Sequence, residues 1–168
     1  SYLTHEEREW QFAGFYLLTE GALMLVSFAG SLVTFYMGYE MMTLCALPLI
    51  LHERTGEAIA AAKKYLYYSC FGALCGLFGI FVLMPSLTEV GFVPGGNLGG
   101  QVTGVTMAAV FVMMMGFGVK AGLFPMHGWL PTAHPVAPAP ASAVLSGVIT
   151  KTGVLGVIRT IYYTAGPD

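Results

Sequence analysis

Three long stretches of this chain carry no formally charged side chain, and they constrain the fold more than any other feature. They cover residues 65–88, 90–119 and 121–150. A helix needs about 20 mostly apolar residues to cross the hydrocarbon core of a bilayer, and each of these stretches is longer than that. The chain is 56% hydrophobic and 10% charged, with a mean hydropathy of +0.72, which is too apolar for a soluble domain. The sequence therefore predicts an all-α membrane protein.

The apolar stretches and the turn residues between them predict about five transmembrane helices. Their expected ranges are 11–29, 32–51, 62–85, 104–130 and 140–164. The fourth is expected to be discontinuous near Pro125, which lacks the N–H group that would bond the carbonyl oxygen of Ala121. The first residues are polar and acidic, unlike a cleavable signal. Because the chain starts and ends abruptly against predicted spans, we expect it to be a piece of a larger protein.

The positive charges predict an orientation. Arg54, Lys63 and Lys64 follow the second predicted span, whereas residues 90–103 contain neither lysine nor arginine. By the positive-inside rule the first connection is cytoplasmic, or on the matrix side, and the second lies on the opposite face. The net charge of −2 gives no electrostatic reason to expect a nucleic-acid partner.

The most unusual ionisable residue is Lys120, which follows about 30 residues without a formal charge. Placing an ammonium in hydrocarbon costs several kcal/mol, so a lysine inside a span is by default a candidate functional residue. Lys120 also directly precedes the predicted break at Pro125. A charge beside an interrupted helix is an arrangement found at the ion sites of transporters.

Two other ionisable residues lie near the middle of predicted spans. Glu40 is expected to face the protein interior and to pair with a base, either as a structural ion pair or as a partner that sets the proton affinity of a lysine. A nearby anion favours the charged form of a lysine and burial disfavours it, so movement of Glu40 would load and unload a proton. Lys151 lies too deep in the fifth span to reach the interface and is predicted to be a proton relay.

Four further candidates are less sharply defined. Imidazole titrates near neutral pH, so His127 and His134 are candidates to carry protons between lysines. Their spacing of seven is not a metal-ligand pattern. Lys64 either anchors the helix at the interface, as we expect for Lys63, or points into the bundle. Glu20 lies inside the first predicted span, along a polar seam or at the interface.

The sequence contains no nucleotide-binding loop, nucleophile triad, haem motif or iron–sulfur pattern. Cys45, Cys70 and Cys75 all lie in predicted spans without CxxC spacing, and we interpret them as small packing residues. Gly72 and Gly76 form a small-xxx-small pair, typical of close helix packing. The chemistry expected of this chain is proton transfer, with no cofactor of its own.

The run KAGLFPMHGWLPTAHPVAPAPASAVL at residues 120–145, followed by Lys151-Thr152-Gly153, resembles the antiporter-like family of membrane subunits. That family comprises the proton-conducting subunits of complex I, the large subunits of multi-subunit Na⁺/H⁺ antiporters and the membrane subunits of energy-converting hydrogenases. The resemblance covers essentially the whole chain. It implies one five-helix repeat, the family's helices 4 to 8, from a bundle of about fourteen helices built on two inverted repeats.

The resemblance also implies roles by position. Glu40 matches the glutamate of the family's fifth helix, Lys120 the lysine of the broken seventh helix and Lys151 the lysine of the eighth. Lys64 falls on a basic position at the start of the sixth helix that some members carry. In the family the Glu–Lys pair tunes proton affinity, and the lysines and histidines form a hydrophilic axis with water.

Three functions compete at this point. The first is a proton-pumping subunit of an NADH:quinone oxidoreductase-type or hydrogenase-type complex, with other membrane subunits beside it and with iron–sulfur clusters and flavin in a peripheral redox arm. The second is a subunit of a Na⁺/H⁺ antiporter without a redox partner, with sodium as a candidate second ion. The third is a structural membrane module whose buried charges only fix helix packing. The His-Pro-x-Ala-Pro connector favours the first, in a prokaryotic plasma membrane rather than a mitochondrial inner membrane.

Overall fold

The computed structural model describes residues 9–89, 91–99 and 102–166, and the elements in this part of the chain are helices. In chain order they are α1 (Glu9–Ser27), α2 (Leu32–Ile50), α3 (Gly56–Leu83), α4 (Gly104–Ala121), the short α5 (Leu130–Ala133) and α6 (Ala139–Ala165). The predicted all-α membrane fold is confirmed.

Four of the described helices are long and apolar enough to cross a membrane: α2, α3 with its extension to Ser86, α4 and α6. The helix α1 has 19 residues and stands where the first span was predicted. It is not among these four, and it carries the polar side chains of Gln11, Thr19 and Glu20. It packs along α2, so the bundle contains a helix at each of the five expected places.

Hydroxyl side chains set the start of three helices. Ser31, Thr55 and Thr103 precede α2, α3 and α4, and each side chain accepts a hydrogen bond from the backbone N–H three residues further on. Because Thr55 caps α3, this helix begins at Gly56 rather than at residue 62 as predicted. The lysine pair after the second span therefore lies inside α3 and not in the preceding loop.

The fourth predicted span is interrupted earlier than expected. The helix α4 ends just before Gly122, which adopts the left-handed conformation with φ 74°. The N–H of Gly122 bonds the carbonyl oxygen of Val119 at 3.2 Å, and the N–H of Leu123 bonds that of Gly118 at 3.0 Å. This is the pattern with which a glycine ends a helix. The break is present, but Gly122 ends the helix, and Pro125, predicted to cause the break, lies beyond it.

Glycines let the backbones of α3 and α4 come very close. A Cβ atom on Gly72 would lie 2.7 Å from the carbonyl oxygen of Gly116, and one on Gly116 would lie 2.6 Å from that of Gly72. One on Gly79 would lie 2.6 Å from the side chain of Met113. The packing role predicted for Gly72 is confirmed, and it brings α4 into the interior of the bundle.

The helix α6 contains two wider turns, at Leu145–Ile149 and Thr160–Ala165. Such π-type turns shift the register of a helix and are frequent near functional sites. Between them, a Cβ atom on Gly153 would lie 2.3 Å from the backbone nitrogen of Ala121. The helix α6 therefore lies directly against the C-terminal end of α4.

The segment after α3 is irregular, as the sequence predicts, and Asn97 holds it together. The buried side-chain oxygen of Asn97 accepts a hydrogen bond from the backbone N–H of Glu89 at 2.9 Å, and its amide donates to the carbonyl oxygen of Gly91 at 3.0 Å. The backbone N–H of Asn97 bonds the carbonyl oxygen of Thr164 at 3.0 Å. This segment is thus tied to the last turn of α6.

Candidate functional site

The site is built around Lys120 in the last turn of α4, a lysine with 0% of its surface exposed. Its Nζ donates a hydrogen bond to the backbone carbonyl oxygen of Tyr39 at 2.9 Å and another to the hydroxyl oxygen of Thr43. The same atom lies 3.9 Å from the centroid of the Tyr39 ring, in a cation–π contact. All of these partners come from adjacent turns of α2, which replace the water that a lysine would otherwise bind.

Glu40 lies beside these contacts on α2 and is half-buried. Its Oε1 atom is fully buried and has no hydrogen-bond partner in the part of the chain that the structure describes. Glu40 and Lys120 are near enough to interact electrostatically, while the hydrogen bonds of the ammonium go to Tyr39 and Thr43. The structure therefore brings the predicted pair into one site without a direct hydrogen bond between the two charged groups.

The two groups that hold the ammonium are themselves held firmly. The Tyr39 hydroxyl donates to the carbonyl oxygen of Gly116 at 3.4 Å, and its ring meets that of Phe117 edge-on with centroids 5.2 Å apart. The Thr43 hydroxyl donates to the carbonyl oxygen of Tyr39 at 3.0 Å. Sequence reasoning did not identify Thr43, although its position one helical turn after Tyr39 was a usable signal.

Trp129 connects the broken segment, which comprises residues 122–129 between α4 and α5, to the site. Its side chain is buried, and its indole N–H donates to the carbonyl oxygen of Val119 at 2.8 Å. Val119 precedes Lys120 at the end of α4, where carbonyl oxygens lose their helical partners. The Trp129 ring also meets the ring of Tyr65 with centroids 5.1 Å apart. Because the Val119 carbonyl oxygen also accepts from the N–H of Gly122, Trp129 gives it a second hydrogen bond at the break and joins the segment to α3.

The predicted histidines and Lys64 lie around the broken segment rather than against Lys120. His127 is exposed and stacks on the ring of Phe124 with centroids 5.8 Å apart. His134 is half-buried, with Nδ1 2.8 Å from the hydroxyl oxygen of Ser142. Lys64 is half-buried, and its Cε atom lies 3.9 Å from the place of a Cβ atom on Gly128.

Lys151 has a different environment from the one that a buried relay would require. Its side chain is exposed on α6, at a groove of about 350 Å³ between α1 and α6 that Leu23 and Ser27 also line. The next residue, Thr152, is buried, and its hydroxyl oxygen lies 3.8 Å from the sulfur of Met42. The described residues therefore do not bring Lys151 together with Lys120.

Sequence reasoning also missed Arg159, which fastens the end of α1. Its Nη1 donates to the carbonyl oxygen of Ala29 at 2.9 Å, and its Nη2 donates to that of Ser27 at 2.9 Å. The guanidinium lies over the rings of Phe35 and Phe92, at 5.2 and 4.8 Å from their centroids. A cation at this place also complements the negative end of the α1 dipole.

The groups at this site are ones that can bind and release protons. The site combines an amine, a carboxylate and hydroxyl groups in apolar surroundings, where small changes in contact alter which group keeps a proton. Within residues 9–89, 91–99 and 102–166, no three His, Cys, Asp or Glu side chains are grouped as a metal site would require.

Comparison with known proteins gives consistent matches. A family model described as "NADH:quinone oxidoreductase/Mrp antiporter, TM" matches residues 29–167. An uncharacterized protein of Mycobacterium tuberculosis is 36% identical over 147 residues, which is 87% of this chain and 22% of that protein. Hydrogenase-4 component B of Escherichia coli is 31% identical over 121 residues, which is 72% of this chain and 18% of that protein.

Among solved structures, a chain of the Mrp complex from Dietzia sp. superimposes with a TM-score of 0.77 at 22% identity, covering 87% of this chain and 28% of the other. This likeness supports the fold. The present chain spans about a fifth of the length of the two curated relatives named above, at 22% and 18%.

Proposed function

Because this chain belongs to the NADH:quinone oxidoreductase/Mrp antiporter family of membrane proteins, we propose that it conducts protons as part of an antiporter-like subunit. The observation that carries the proposal is the burial of Lys120, whose side-chain amine has two hydrogen-bond partners on α2 and lies beside Glu40. Ionisable groups inside membrane proteins are costly and mark ion or proton pathways.

The surroundings of Lys120 act on its proton in opposite directions. Burial opposes the charged amine, whereas the nearby carboxylate of Glu40, the acceptors on Tyr39 and Thr43 and the C-terminal end of the α4 dipole all favour it. The balance decides whether the amine keeps its proton. A displacement of Glu40 or of the end of α4 would change that balance, and a proton would be taken up or released.

The groups around the broken segment are the proposed continuation of the path. Lys64, His127 and His134 lie around this segment, and each has a group that binds and releases a proton. Lys151 is the proposed group beyond them, at the α1–α6 groove. Water between these side chains would complete the path, because the described contacts do not join them directly.

The complex that we favour is redox-driven, of the NADH:quinone oxidoreductase or hydrogenase type. The 31% identity to a hydrogenase component supports this choice, whereas the likeness to the Mrp complex, at 22% identity, concerns the fold. Other membrane subunits and a peripheral arm with iron–sulfur clusters and flavin would be the partners, in a prokaryotic plasma membrane. A Na⁺/H⁺ antiporter is the second candidate, because the family description includes the Mrp antiporter.

The test of the proton role is Lys120→Ala in the intact protein, in vesicles of its native membrane. We expect coupled proton movement, followed with a pH-sensitive dye, to fall to background while the complex stays assembled on a native gel. Lys63→Ala is the matched control, because Lys63 is an exposed lysine on α3. Normal proton movement in the Lys120 variant would refute the assignment. Loss of assembly would favour a purely structural module.

The choice between the two complexes requires a separate measurement. The intact protein would be purified in mild detergent with its partners, and iron and flavin would be assayed in the purified complex. Several iron–sulfur clusters per complex are expected for a redox-driven pump. A complex without redox centres would favour the Na⁺/H⁺ antiporter.

A further inference from the structure

Two buried polar atoms without a described partner lie on helices that face each other. They are Oε1 of Glu40 on α2 and the hydroxyl oxygen of Tyr65 on α3, and Tyr65 has 0% of its surface exposed. Buried polar groups in proteins nearly always have a hydrogen-bond partner, because leaving one unpaired costs free energy. The role proposed above for Glu40 and Lys120 does not use Tyr65.

The register of α2 and α3 brings Glu40 and Tyr65 to the same part of the interface between these helices. The helices are antiparallel because residues 51–55 join them. The hydroxyl of Tyr36 on α2 donates to the carbonyl oxygen of Ala73 on α3 at 3.3 Å, which sets the pairing. One turn along each helix in opposite directions brings Glu40 opposite Ser69.

A further turn brings Thr43 opposite Tyr65. The surroundings of the Tyr65 hydroxyl agree with this register, since the side chains of Ser69, Thr43 and Glu40 lie near it. The Ser69 and Thr43 hydroxyls approach it without the distance and angle of a hydrogen bond, so its oxygen stays unpaired among the described residues. The hydroxyl of Thr43 in turn accepts a hydrogen bond from Lys120. Four oxygen-bearing side chains are therefore grouped between α2 and α3, next to the buried ammonium.

We propose that a bound water molecule bridges the Tyr65 hydroxyl and Oε1 of Glu40. A buried water needs two to four polar partners, and this group of side chains supplies them. Tyr65 is then a positioning residue that holds the Glu40 carboxylate beside the Lys120 ammonium and out of direct contact with it. This role rests on the proton-conducting function proposed above, whereas the bridge itself does not.

The bridge would also connect Glu40 to the broken segment. The ring of Tyr65 packs edge-on against Trp129, whose indole N–H bonds the carbonyl oxygen of Val119 beside Lys120. Movement of the segment would therefore displace the Tyr65 hydroxyl and the water with it. Through this contact the broken segment alters the hydrogen bonding of Glu40.

The test is Tyr65→Phe in the intact protein, because this change removes the hydroxyl and keeps the ring against Trp129. Tyr67→Phe is the control, since Tyr67 lies on the same helix and is 73% exposed. Infrared difference spectra would locate the carboxyl band of Glu40 by its loss in Glu40→Gln. Spectra in H₂¹⁸O would identify bands of bound water.

We expect Tyr65→Phe to shift the Glu40 carboxyl band and to remove a water band, and Tyr67→Phe to change neither. The rate of proton movement should fall roughly tenfold, which corresponds to one lost hydrogen bond to a charged group. A carboxyl band at the same position in both variants would overturn the bridge.

The two proposals fail in different ways. If Lys120→Ala abolishes proton movement while Tyr65→Phe leaves both bands unchanged, the water bridge is wrong and the proposed function stands. If Lys120→Ala moves protons normally while Tyr65→Phe shifts the carboxyl band, the bridge is supported and the proton-conducting role of Lys120 is refuted.

Discussion

At the scale of single residues, the site depends on how α2 replaces the water around Lys120. The Tyr39 carbonyl oxygen and the Thr43 hydroxyl accept its hydrogen bonds, and the Tyr39 ring covers it. A charge that keeps such partners in apolar surroundings is stabilised, and removal of one partner leaves a donor unpaired at considerable cost. Of these partners, the Thr43 hydroxyl can be removed by a substitution that keeps nearly the same side-chain shape.

Thr43→Val should destabilise the protein, because the buried ammonium loses one acceptor. The expected decrease in the free energy of unfolding is about 1–3 kcal/mol. Thr43→Ser keeps the hydroxyl and should retain most of the stability. Thermal unfolding in detergent, followed by circular dichroism, would measure both variants. Equal unfolding temperatures for the valine variant and the wild type would show that the ammonium does not depend on Thr43.

At the scale of elements, two helix ends determine the geometry around the site. The helix α4 ends just before Gly122, and its last turn places Lys120 against α2. The helix α1 ends at carbonyl oxygens that Arg159 binds, and this contact joins α1 to α6. Each end depends on one residue type, glycine for its backbone freedom and arginine for its fork of donors.

Gly122→Ala should destabilise the end of α4. At φ 74° an alanine costs about 1–2 kcal/mol relative to glycine, and its Cβ atom would lie 2.4 Å from Cδ1 of Leu130. Gly104→Ala is the control, because a Cβ atom there meets nothing within 4 Å at the start of the same helix. Thermal unfolding in detergent would compare the two. The prediction fails if both variants unfold at the wild-type temperature.

Arg159→Ala should loosen the end of α1. Loss of the charged hydrogen bonds is expected to lower the free energy of unfolding by about 1.5–3 kcal/mol, and Arg159→Lys should recover only part of it. Hydrogen–deuterium exchange of the last turn of α1 would rise in the alanine variant. Arg54→Ala, at an exposed arginine, is the control. Unchanged exchange in this turn would mean that Arg159 does not hold α1 in place.

At the scale of the whole molecule, α4 lies between α3 and α6, and the connections of the bundle lie at opposite ends. The short connection after α2 contains Arg54, whereas the segment before α4 is tied to the last turn of α6 through Asn97. This arrangement agrees with the charge asymmetry of the sequence and fixes which sides the two connections occupy relative to each other.

Cysteine labelling in oriented membrane vesicles would measure the orientation. In a variant without Cys45, Cys70 and Cys75, Glu53→Cys should react with an impermeant maleimide only from the cytoplasmic side. Val102→Cys, at a position that is 60% exposed, should react only from the other side. Reaction of both cysteines from one side would contradict the placement of the two connections at opposite ends of the bundle. The reverse pattern would contradict the orientation that the positive-inside rule assigns.

The sequence by itself determined the membrane class and the approximate helices, and it singled out Lys120 and Glu40 as candidate residues. The length of an apolar stretch and the isolation of a charge within it are local properties of a chain, so the sequence shows them without a tertiary structure. The small-xxx-small spacing that begins at Gly72 likewise predicted close packing of helices. The helix break was foreseen at the right segment but assigned to Pro125, because the conformation of Gly122 is not visible in one dimension.

Only the tertiary structure decided which groups surround the buried charge. Thr43 binds Lys120, which is 77 positions away in the sequence, and Arg159 binds the carbonyl oxygen of Ala29, which is 130 positions away. Contacts between residues so far apart in the chain are formed only by the tertiary structure. Lys151, like Lys120, follows about 30 residues without a formal charge, yet it is exposed and Lys120 is buried. Hydropathy reports how deep a residue can lie in a bilayer, whereas helix packing decides whether it faces the interior of the protein.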